Sequence, residues 1–193
     1  PKRDCHQALK QLNDLIMFQP VSHIVEADIK GFFDNVDHDK LMDFIRIRIM
    51  DTTLVDLIGK FLKAGYIDEG QLVKSDKGTP QGSILSPMLA NIFLHYVLDE
   101  WFETTVKNHA RGFCELVRYA DDFVCVVRYA DDAERIEQAL KNRFSKYGLE
   151  IHPTKSRKLS FGRFERDNAE KQNRQPNTFD FLGLTHYCDV SRK

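Results

Sequence analysis

The sequence predicts an α+β fold, namely a ferredoxin-like sheet of the split βαβ type that is backed by helices. Short apolar runs, typical of buried strands, alternate with segments in which apolar residues recur every three or four positions, as on one face of a helix. In chain order these segments form a strand, a helix, a hairpin, a helix and a strand, which is the split βαβ order. A chain of 193 residues, 42% of them hydrophobic, is long enough for one such well-packed domain.

Five elements are predicted in the first half of the chain. Pro20 follows a periodic apolar face and bounds the first helix, while Gly65 ends a later one. The dipeptide Glu69-Gly70 is typical of a tight turn between strands. We therefore expect, in order, a helix over residues 4–18, a strand over 23–29, helices over 38–50 and 53–64, and a hairpin over 66–73.

The second half begins at Ser86-Pro87, which predicts a sharp helix start with serine as the N-cap and proline at the first helical position. This helix is apolar on nearly all sides in its first turns, so it should lie under the sheet. The polar, basic span 162–177 is expected to be a mobile loop. The remaining expectations are that helix over 87–106, two strands within 113–127, a helix over 131–147, and short strands near 149, over 158–161 and over 179–187.

Three aspartates stand where strands end or turn. Asp28 ends the first predicted strand, and Asp121 and Asp122 occupy the tip of the central hairpin. These strands are neighbours in a ferredoxin-like sheet, so the carboxylates can converge. Two carboxylates about 5 Å apart repel by roughly 3 kcal/mol at an effective dielectric of 20, which favours bound cations. Oxygen ligands with open positions suit magnesium held together with substrate phosphates, and two such ions can activate an attacking hydroxyl and stabilise a leaving oxygen.

The chain contains its own control for this interpretation. The string Arg-Tyr-Ala-Asp-Asp occurs at residues 118–122 and again at 128–132. The second copy precedes a helix start, so we expect Asp131 and Asp132 to cap that helix. The first copy lies between apolar, strand-like runs. Only the first copy is therefore predicted to be a metal-binding hairpin.

Charge and cysteine usage give weaker indications. The net charge is −1, yet residues 26–56 hold eight acidic and four basic side chains, and residues 141–174 hold ten basic and four acidic ones. This asymmetry suits a protein that holds cations at one place and phosphates at another. The four cysteines form no C-x-x-C pair, which favours reduced thiols in the cytoplasm over a zinc site or disulfides. No apolar run approaches the roughly 20 residues of a membrane span, so no membrane partner is expected.

In order along the chain, these motifs resemble the sequence blocks of reverse transcriptases, specifically those encoded by bacterial group II introns. The resemblance covers nearly all of the chain. It rests on residues 1–12 (second block), 26–41 (EADIKGFFDNVDHDKL, third), 78–101 (GTPQGSILSPMLANIFLHYVLDEW, fourth), 118–127 (fifth), 148–155 (GLEIHPTK, sixth) and 179–187 (FDFLGLTHY, seventh).

The resemblance implies a polymerase palm at about 23–51 and 86–193, with partial fingers at about 1–22 and 52–85. We expect the upstream fingers and the thumb to lie outside this chain. The implied activity is RNA-directed DNA polymerase, with an RNA template, a DNA primer and deoxynucleotides as partners and two Mg²⁺ ions as cofactors, for which Mn²⁺ can substitute. Intron RNA would be a further partner of the full-length protein in the bacterial cytoplasm. The oligomeric state stays open.

Roles for individual residues follow from the same resemblance. Lys155 would be the general acid near the leaving pyrophosphate, although a surface lysine is the plainer alternative. Phe33 would be the steric gate that excludes a 2′-hydroxyl, or else a core phenylalanine. The implied metal ligands are Asp28, Asp121, Asp122 and the Ile29 carbonyl; the implied nucleotide-binding residues are Ile29, Lys30, Gly31, Phe32, Phe33, Gln81 and Gly82; and the implied primer grip is Phe181, Leu182 and Gly183.

Two other functions share some of these features. A palm-fold nucleotidyl cyclase has the same topology and carboxylates, but the block at 78–87 and the lack of a Gly-Gly-Asp-type turn argue against it. An RNA-binding module with a degenerate active site is disfavoured because all three carboxylates are present. Among reverse transcriptases, retron, CRISPR-associated and diversity-generating relatives stay open.

Overall fold

The computed structural model describes residues 4–64, 66–68, 71–73, 77–79 and 85–189. The first half contains α1 (Cys5–Phe18), β1 (His23–Ala27), α2 (Phe32–Asn35), α3 (His38–Arg48), α4 (Thr52–Lys63), β2 (Tyr66–Asp68) and β3 (Gln71–Val73). The second half contains α5 (Ser86–Leu94), α6 (Lys107–His109), β4 (Cys114–Tyr119), β5 (Asp122–Val127), α7 (Ala130–Lys146), β6 (Arg157–Ser160), α8 (Glu165–Lys171), β7 (Thr178–Phe181) and β8 (Leu184–Tyr187).

The central sheet has four strands in the order β4-β5-β1-β6, and every pair in it is antiparallel. Strand β1 therefore lies between two strands that come much later in the chain, with helices in the connections. This is the split βαβ arrangement, and the predicted fold class is confirmed. The β2–β3 and β7–β8 pairs each form a separate two-stranded sheet.

Both faces of the sheet are covered, since apolar residues of its strands point to both sides and are buried there. In β1, Val25 belongs to the larger buried cluster together with Phe93 of α5 and Phe144 of α7. Its neighbour Ile24 points to the other face and joins a smaller cluster with Leu12 of α1. Burial on both faces makes the central strands rigid supports for any residue at their ends.

Helix boundaries follow local capping chemistry in the first half of the chain. The carboxylates of Asp4, Asp37 and Asp51 each accept a hydrogen bond from a backbone amide in the first turn of α1, α3 and α4, respectively. The predicted helices there are confirmed to within two residues at each end. The predicted hairpin over 66–73 is confirmed by the pairing of β2 with β3.

The helix that follows Ser86-Pro87 differs from the prediction in two ways. Ser86 is the first helical residue rather than the N-cap, a position that Leu85 occupies without a side-chain cap. After Leu94 the helix passes through two π-helical segments, His95–Asp99 and Phe102–Val106, before α6. Asp99 of the first segment contacts Arg118 of β4, a strand at the edge of the central sheet.

The prediction of a mobile loop over 162–177 is wrong, because α8 lies within this span. The Glu165 carboxylate is buried and accepts two hydrogen bonds from the Arg174 guanidinium, at 2.6 and 3.2 Å. It also accepts the Asn177 amide at 3.0 Å, and the Asn177 side chain donates to Ser160 of β6. These bonds between residues far apart in the segment hold it against the sheet.

In the described residues, no helix is both long enough and apolar enough to cross a lipid bilayer.

Candidate active site

Asp28 and Asp122 face each other at one end of the central sheet. Ala27 of β1 pairs with Phe123 of β5, so the next step of the same register places Asp28 opposite Asp122. Directly opposed residues on antiparallel strands have Cβ atoms about 4.5–5.5 Å apart. The predicted convergence of these two carboxylates is therefore what the strand register produces.

Asp121 lies in the two-residue turn that joins β4 to β5. Tyr119 pairs with Asp122, and Ala120 at the first turn position has φ of 55°, in the left-handed region. That turn geometry matches the right-handed twist of the flanking strands. Asp121 is partly exposed at the tip, beside the two opposed carboxylates.

Arg118 holds this turn against the preceding helical segment. Its guanidinium donates to both carboxylate oxygens of Asp99, at 2.6 and 2.5 Å, to the Asn91 side chain at 2.8 Å and to the Ala120 carbonyl at 2.6 Å. A planar fork with five donors can make all these bonds at once, whereas an ammonium cannot. Sequence reasoning missed this role, although Arg118 opens the first copy of the repeated string.

Electrostatics at the site favour a cation. Burial raises the pKa of Asp122, and the nearby carboxylates of Asp121, Asp28 and Glu26 raise it further, against the lowering effect of a hydrogen bond from the Leu182 amide. The pKa of Asp122 is thus above its ordinary value. Asp122 therefore lies in a partly buried site where other carboxylates are close enough to disfavour its charged form, and a bound cation would offset both effects.

Lys155 lies at this cluster, as the resemblance implied. Its Nζ is 3.4 Å from Oδ2 of Asp28, and its side chain is 67% exposed. The segment around it also fixes Asp28 through the backbone, because the His152 amide donates to the Asp28 carbonyl at 2.8 Å and the Asp28 amide donates to Ser156 Oγ at 3.1 Å. His152 and Ser156 are supporting residues that the sequence alone did not single out.

The β7–β8 hairpin brings the predicted primer grip to the same place. Its two turn residues, Leu182 and Gly183, both have positive φ, at 54° and 72°, as a tight hairpin turn requires. The Leu182 amide donates to Oδ2 of Asp122 at 2.8 Å. A cleft of about 500 Å³ is lined by Asp28, Asp122, Lys155 and residues 180–183.

Phe33 and Asp121 do not line this cleft. Phe33 is partly buried, packs against the larger core cluster and meets Phe32 edge to face at 5.3 Å. Its carbonyl accepts the Thr79 amide at 2.7 Å. A Cβ at Gly78, whose φ is 83°, would lie 2.7 Å from the same carbonyl, so only glycine allows this close approach.

The rest of the implied nucleotide-binding segment follows β1 directly. Ile29 and Phe32 are buried, and Gly31 has φ of 54°. The Lys30 amide donates to the Glu150 carbonyl at 2.8 Å, so this amide is not available to a phosphate. The implied residues Gln81 and Gly82 lie outside the described residues.

The donor set fits magnesium rather than a metal that proteins enclose completely. Within the described ranges, no three His, Cys, Asp or Glu side chains are gathered closely enough to hold a metal by themselves. Magnesium is usually held by one or two carboxylates together with water and substrate phosphates. The carboxylates of Asp28 and Asp122, with the exposed Lys155 side chain beside Asp28, are such an open site.

The second copy of the repeated string is built differently. Asp132 is buried and accepts the amides of Arg111 at 3.1 Å and Gly112 at 3.0 Å, as well as a bond from Arg135. Tyr129 occupies the N-cap position of α7 without a side-chain bond. Asp131 and Asp132 lie in the first turn of α7, where negative charge favours the helix N-terminus. The expectation that they cap the helix is wrong, because neither is the N-cap and Asp132 instead ties the α6–β4 connection to α7. Asp131 pairs at the surface with Arg111 at 3.0 Å.

Comparisons with known proteins agree with this geometry. The family described as reverse transcriptase (RNA-dependent DNA polymerase) matches residues 3–186. The group II intron-encoded protein LtrA of Lactococcus lactis subsp. cremoris is 52% identical over 95 residues, covering 49% of this chain and 16% of that protein. An uncharacterised 91 kDa protein in a cob intron of Schizosaccharomyces pombe is 45% identical over 103 residues, covering 53% of this chain and 12% of that protein.

A solved structure supports the fold. Apo telomerase from Candida tropicalis, truncated from the C-terminal domain, superposes with a TM-score of 0.67 over 97% of this chain and 39% of that one. The two sequences are 20% identical, so this likeness concerns the fold alone. The chain spans less than a fifth of either intron protein above and under half of the telomerase.

Proposed function

Because the chain belongs to the reverse transcriptase (RNA-dependent DNA polymerase) family, we propose that its cleft extends a DNA primer with deoxynucleotides on an RNA template. The observation that carries this proposal is the meeting of three parts in one cleft. Asp28 and Asp122 face each other, Lys155 lies within 3.4 Å of Asp28, and the β7–β8 hairpin donates an amide to Asp122.

Reverse transcriptases generally depend on divalent metal ions. In this chain the carboxylates of Asp28, Asp121 and Asp122 would hold two Mg²⁺ ions, with the Ile29 carbonyl as a further oxygen ligand and Mn²⁺ as a substitute. When bound, the ions lower the pKa of the primer 3′-hydroxyl and stabilise charge on the leaving pyrophosphate.

The chain's own residues would place the primer, supply a proton and select the sugar of the nucleotide. The hairpin turn at Leu182 and Gly183 would place the primer end, since it already contacts Asp122. The Lys155 ammonium would hold a proton for the pyrophosphate that leaves when the 3′-hydroxyl bonds to the α-phosphate. The Phe33 ring would fill the space that a 2′-hydroxyl needs. Positioning and electrostatic stabilisation together supply most of the catalysis in phosphoryl transfer.

Wider roles rest on the intron-encoded relatives. We propose that the whole protein supports the mobility of a group II intron, that it binds intron RNA and contributes to splicing, and that it works in the bacterial cytoplasm. The cysteine spacing, without a C-x-x-C pair, is typical of reduced thiols and is consistent with this compartment. The central sheet with its helices would be the palm, and the segments at 1–22 and 52–85 would belong to the fingers.

A primer-extension assay with the intact protein tests the proposal. The protein is given a primer annealed to RNA or DNA templates, deoxynucleotides and Mg²⁺. We expect extension that requires primer and template and stops when the template ends. Product formation from nucleotides alone would favour a nucleotidyl cyclase. Tight RNA binding without extension would favour an RNA-binding module with a degenerate site.

A further inference from the structure

The β7–β8 hairpin shares no strand pairing with the central sheet, because it forms a two-stranded sheet of its own. Its position relative to Asp28 and Asp122 must therefore come from other contacts. Backbone groups of Thr178, Asp180 and Leu182, every second residue along one edge of the hairpin, all bond to side chains of the central sheet.

Two of these three contacts converge on one ion pair. Glu26 of β1 and Arg157 of β6 are directly opposed in the strand register, and Arg157 Nε donates to Glu26 Oε2 at 2.9 Å. Arg157 Nη2 then donates to the Thr178 carbonyl at 2.9 Å. The Asp180 amide donates to the other carboxylate oxygen, Glu26 Oε1, at 3.4 Å.

We propose that Glu26 and Arg157 are positioning residues that set the place of the primer-grip hairpin relative to the catalytic carboxylates. This inference rests on the proposed polymerase function. Glu26 lies two residues before Asp28 and so projects from the same face of β1. One rigid strand thereby carries both a candidate metal ligand and the anchor of the hairpin.

The chemistry of the pair suits this role. The Glu26 side chain is 16% exposed, and its two oxygens serve different partners, one the guanidinium and the other the Asp180 amide. The Arg157 fork bridges Glu26 and Thr178, which lie on different sheets. Lysine would offer a point charge without this geometry. The Asp180 side chain in turn accepts a bond from Thr185 at 2.6 Å, which connects the anchored strand to β8.

The variants Glu26→Gln and Arg157→Lys test the proposal in the intact protein. Glu134→Gln is the matched control, because it breaks a 3.2 Å ion pair between α7 and Lys158, the next residue of the same strand β6. Single-nucleotide addition is measured as a function of nucleotide, Mg²⁺ and primer–template concentration. We expect kcat to fall about 10-fold to 100-fold in both test variants, since a displacement near 1 Å at a reacting centre has that effect.

A positioning role also predicts what stays constant. The KM for the nucleotide and the Mg²⁺ concentration for half-maximal rate should not change, and the double variant should be no slower than the slower single variant. The control Glu134→Gln should react as the wild type. A raised Mg²⁺ requirement in Glu26→Gln alone would make Glu26 a metal ligand and overturn the proposal.

Hydrogen exchange separates this inference from the proposed function. In both test variants the amides of β7 and β8 should exchange faster, while those of β4 and β5 keep the wild-type rates. Unchanged exchange in the hairpin, or wild-type kcat in both variants, would refute the positioning role. If the wild type did not extend primers at all, the proposed function would fail, whereas the exchange result would still test the anchor.

Discussion

The two copies of Arg-Tyr-Ala-Asp-Asp allow the same substitution to be made in two different environments. In the first copy, Asp122→Asn changes a carboxylate that is crowded by other carboxylates and whose pKa is raised. In the second copy, Asp132→Asn changes a buried carboxylate that two amides and Arg135 stabilise. Burial raises the pKa of Asp132, but these hydrogen bonds outweigh it, so the pKa is lowered.

The expected free energies follow from those contacts. Asparagine at residue 132 keeps one oxygen acceptor but turns an NH₂ group towards donors, so at least one bond from Arg111 or Gly112 is lost. Hydrogen bonds to a buried charged group contribute about 1.5–3 kcal/mol each. We expect the unfolding free energy to fall by about 2 kcal/mol, which lowers Tm by roughly 4–8 °C in a domain of this size. Asp131→Asn removes a surface pair with Arg111 and should cost under about 0.5 kcal/mol.

Asp122→Asn should behave in the opposite way. Removal of a carboxylate from a repelling cluster should leave Tm unchanged or slightly raised, because asparagine can still accept the Leu182 amide. Primer extension should fall by about 10³-fold, equivalent to roughly 4 kcal/mol of lost transition-state stabilisation. Asp132→Asn should keep its extension rate at a temperature well below its Tm.

Two quantities are measured for each of these variants, namely Tm by thermal unfolding and the rate of single-nucleotide addition. Losses of extension of equal size in Asp122→Asn and Asp132→Asn would contradict the division of the two copies into a catalytic and a structural one. A large loss of Tm in Asp122→Asn would also contradict it, because that result would make the hairpin carboxylate a folding residue.

Three further predictions concern other parts of the structure. Phe33→Ala should raise ribonucleotide incorporation relative to deoxynucleotides in a competition assay, and an unchanged ratio would make Phe33 a packing residue. Arg118→Lys should slow extension about tenfold because lysine cannot replace the forked bonds to the turn; Arg128→Lys, in the second copy, is its control and should extend at the wild-type rate. Glu165→Gln should lower the unfolding free energy at pH 7 by about 2 kcal/mol, because glutamine turns an NH₂ group towards at least one of the donors that the buried Glu165 carboxylate serves. Burial raises the pKa of Glu165, yet the bonds from Arg174 and neighbouring groups bring it below the ordinary 4.5, so this stabilisation is present above pH 4.5 and is lost as the pH falls further. The difference between wild type and Glu165→Gln in urea unfolding should therefore shrink in acid, and a constant difference would refute the assignment.

The central hairpin and its carboxylates could be predicted because their signals are local. Apolar runs on both sides of Asp121 and Asp122 indicate strands, and the helix start after Asp132 indicates a different context. The first strand and the central hairpin are neighbours in a ferredoxin-like sheet, which is why Asp28 could be placed near Asp122.

Two of the errors share a physical cause, which is polar bonding between residues that are not local neighbours in the sequence. The span 162–177 is polar, so its composition predicts a loop, yet the buried Glu165 carboxylate accepts bonds from Arg174 and Asn177 that no local pattern indicates. The role of Asp132 was mispredicted for the same reason, because the amides that it accepts, those of Arg111 and Gly112, lie some twenty residues earlier in the chain. Such long-range polar bonds override local preferences.

Anchoring contacts around the site were missed for the same reason. Arg118 resembles Arg128 in sequence, but only Arg118 meets a carboxylate from a π-helical segment, at Asp99. The pairing of Glu26 with Arg157 depends on β6 lying beside β1, which follows from the topology but from no motif. Sequence blocks indicate which residues take part in the chemistry, while the fold determines what holds those residues in place.

Asp28→Asn is the most direct test of the proposal that the cleft at the end of β1 and β5 synthesises DNA on an RNA template. Asp28 directly follows β1, which lies between β5 and β6 in the central sheet, and it faces Asp122. Its Oδ2 atom is 3.4 Å from Nζ of Lys155. The measurement is the rate of single-nucleotide addition to a primer on an RNA template by the intact protein at saturating Mg²⁺. The account predicts a fall of about 10³-fold with Tm and RNA affinity close to those of the wild type. Extension at the wild-type rate by a folded Asp28→Asn protein would contradict it.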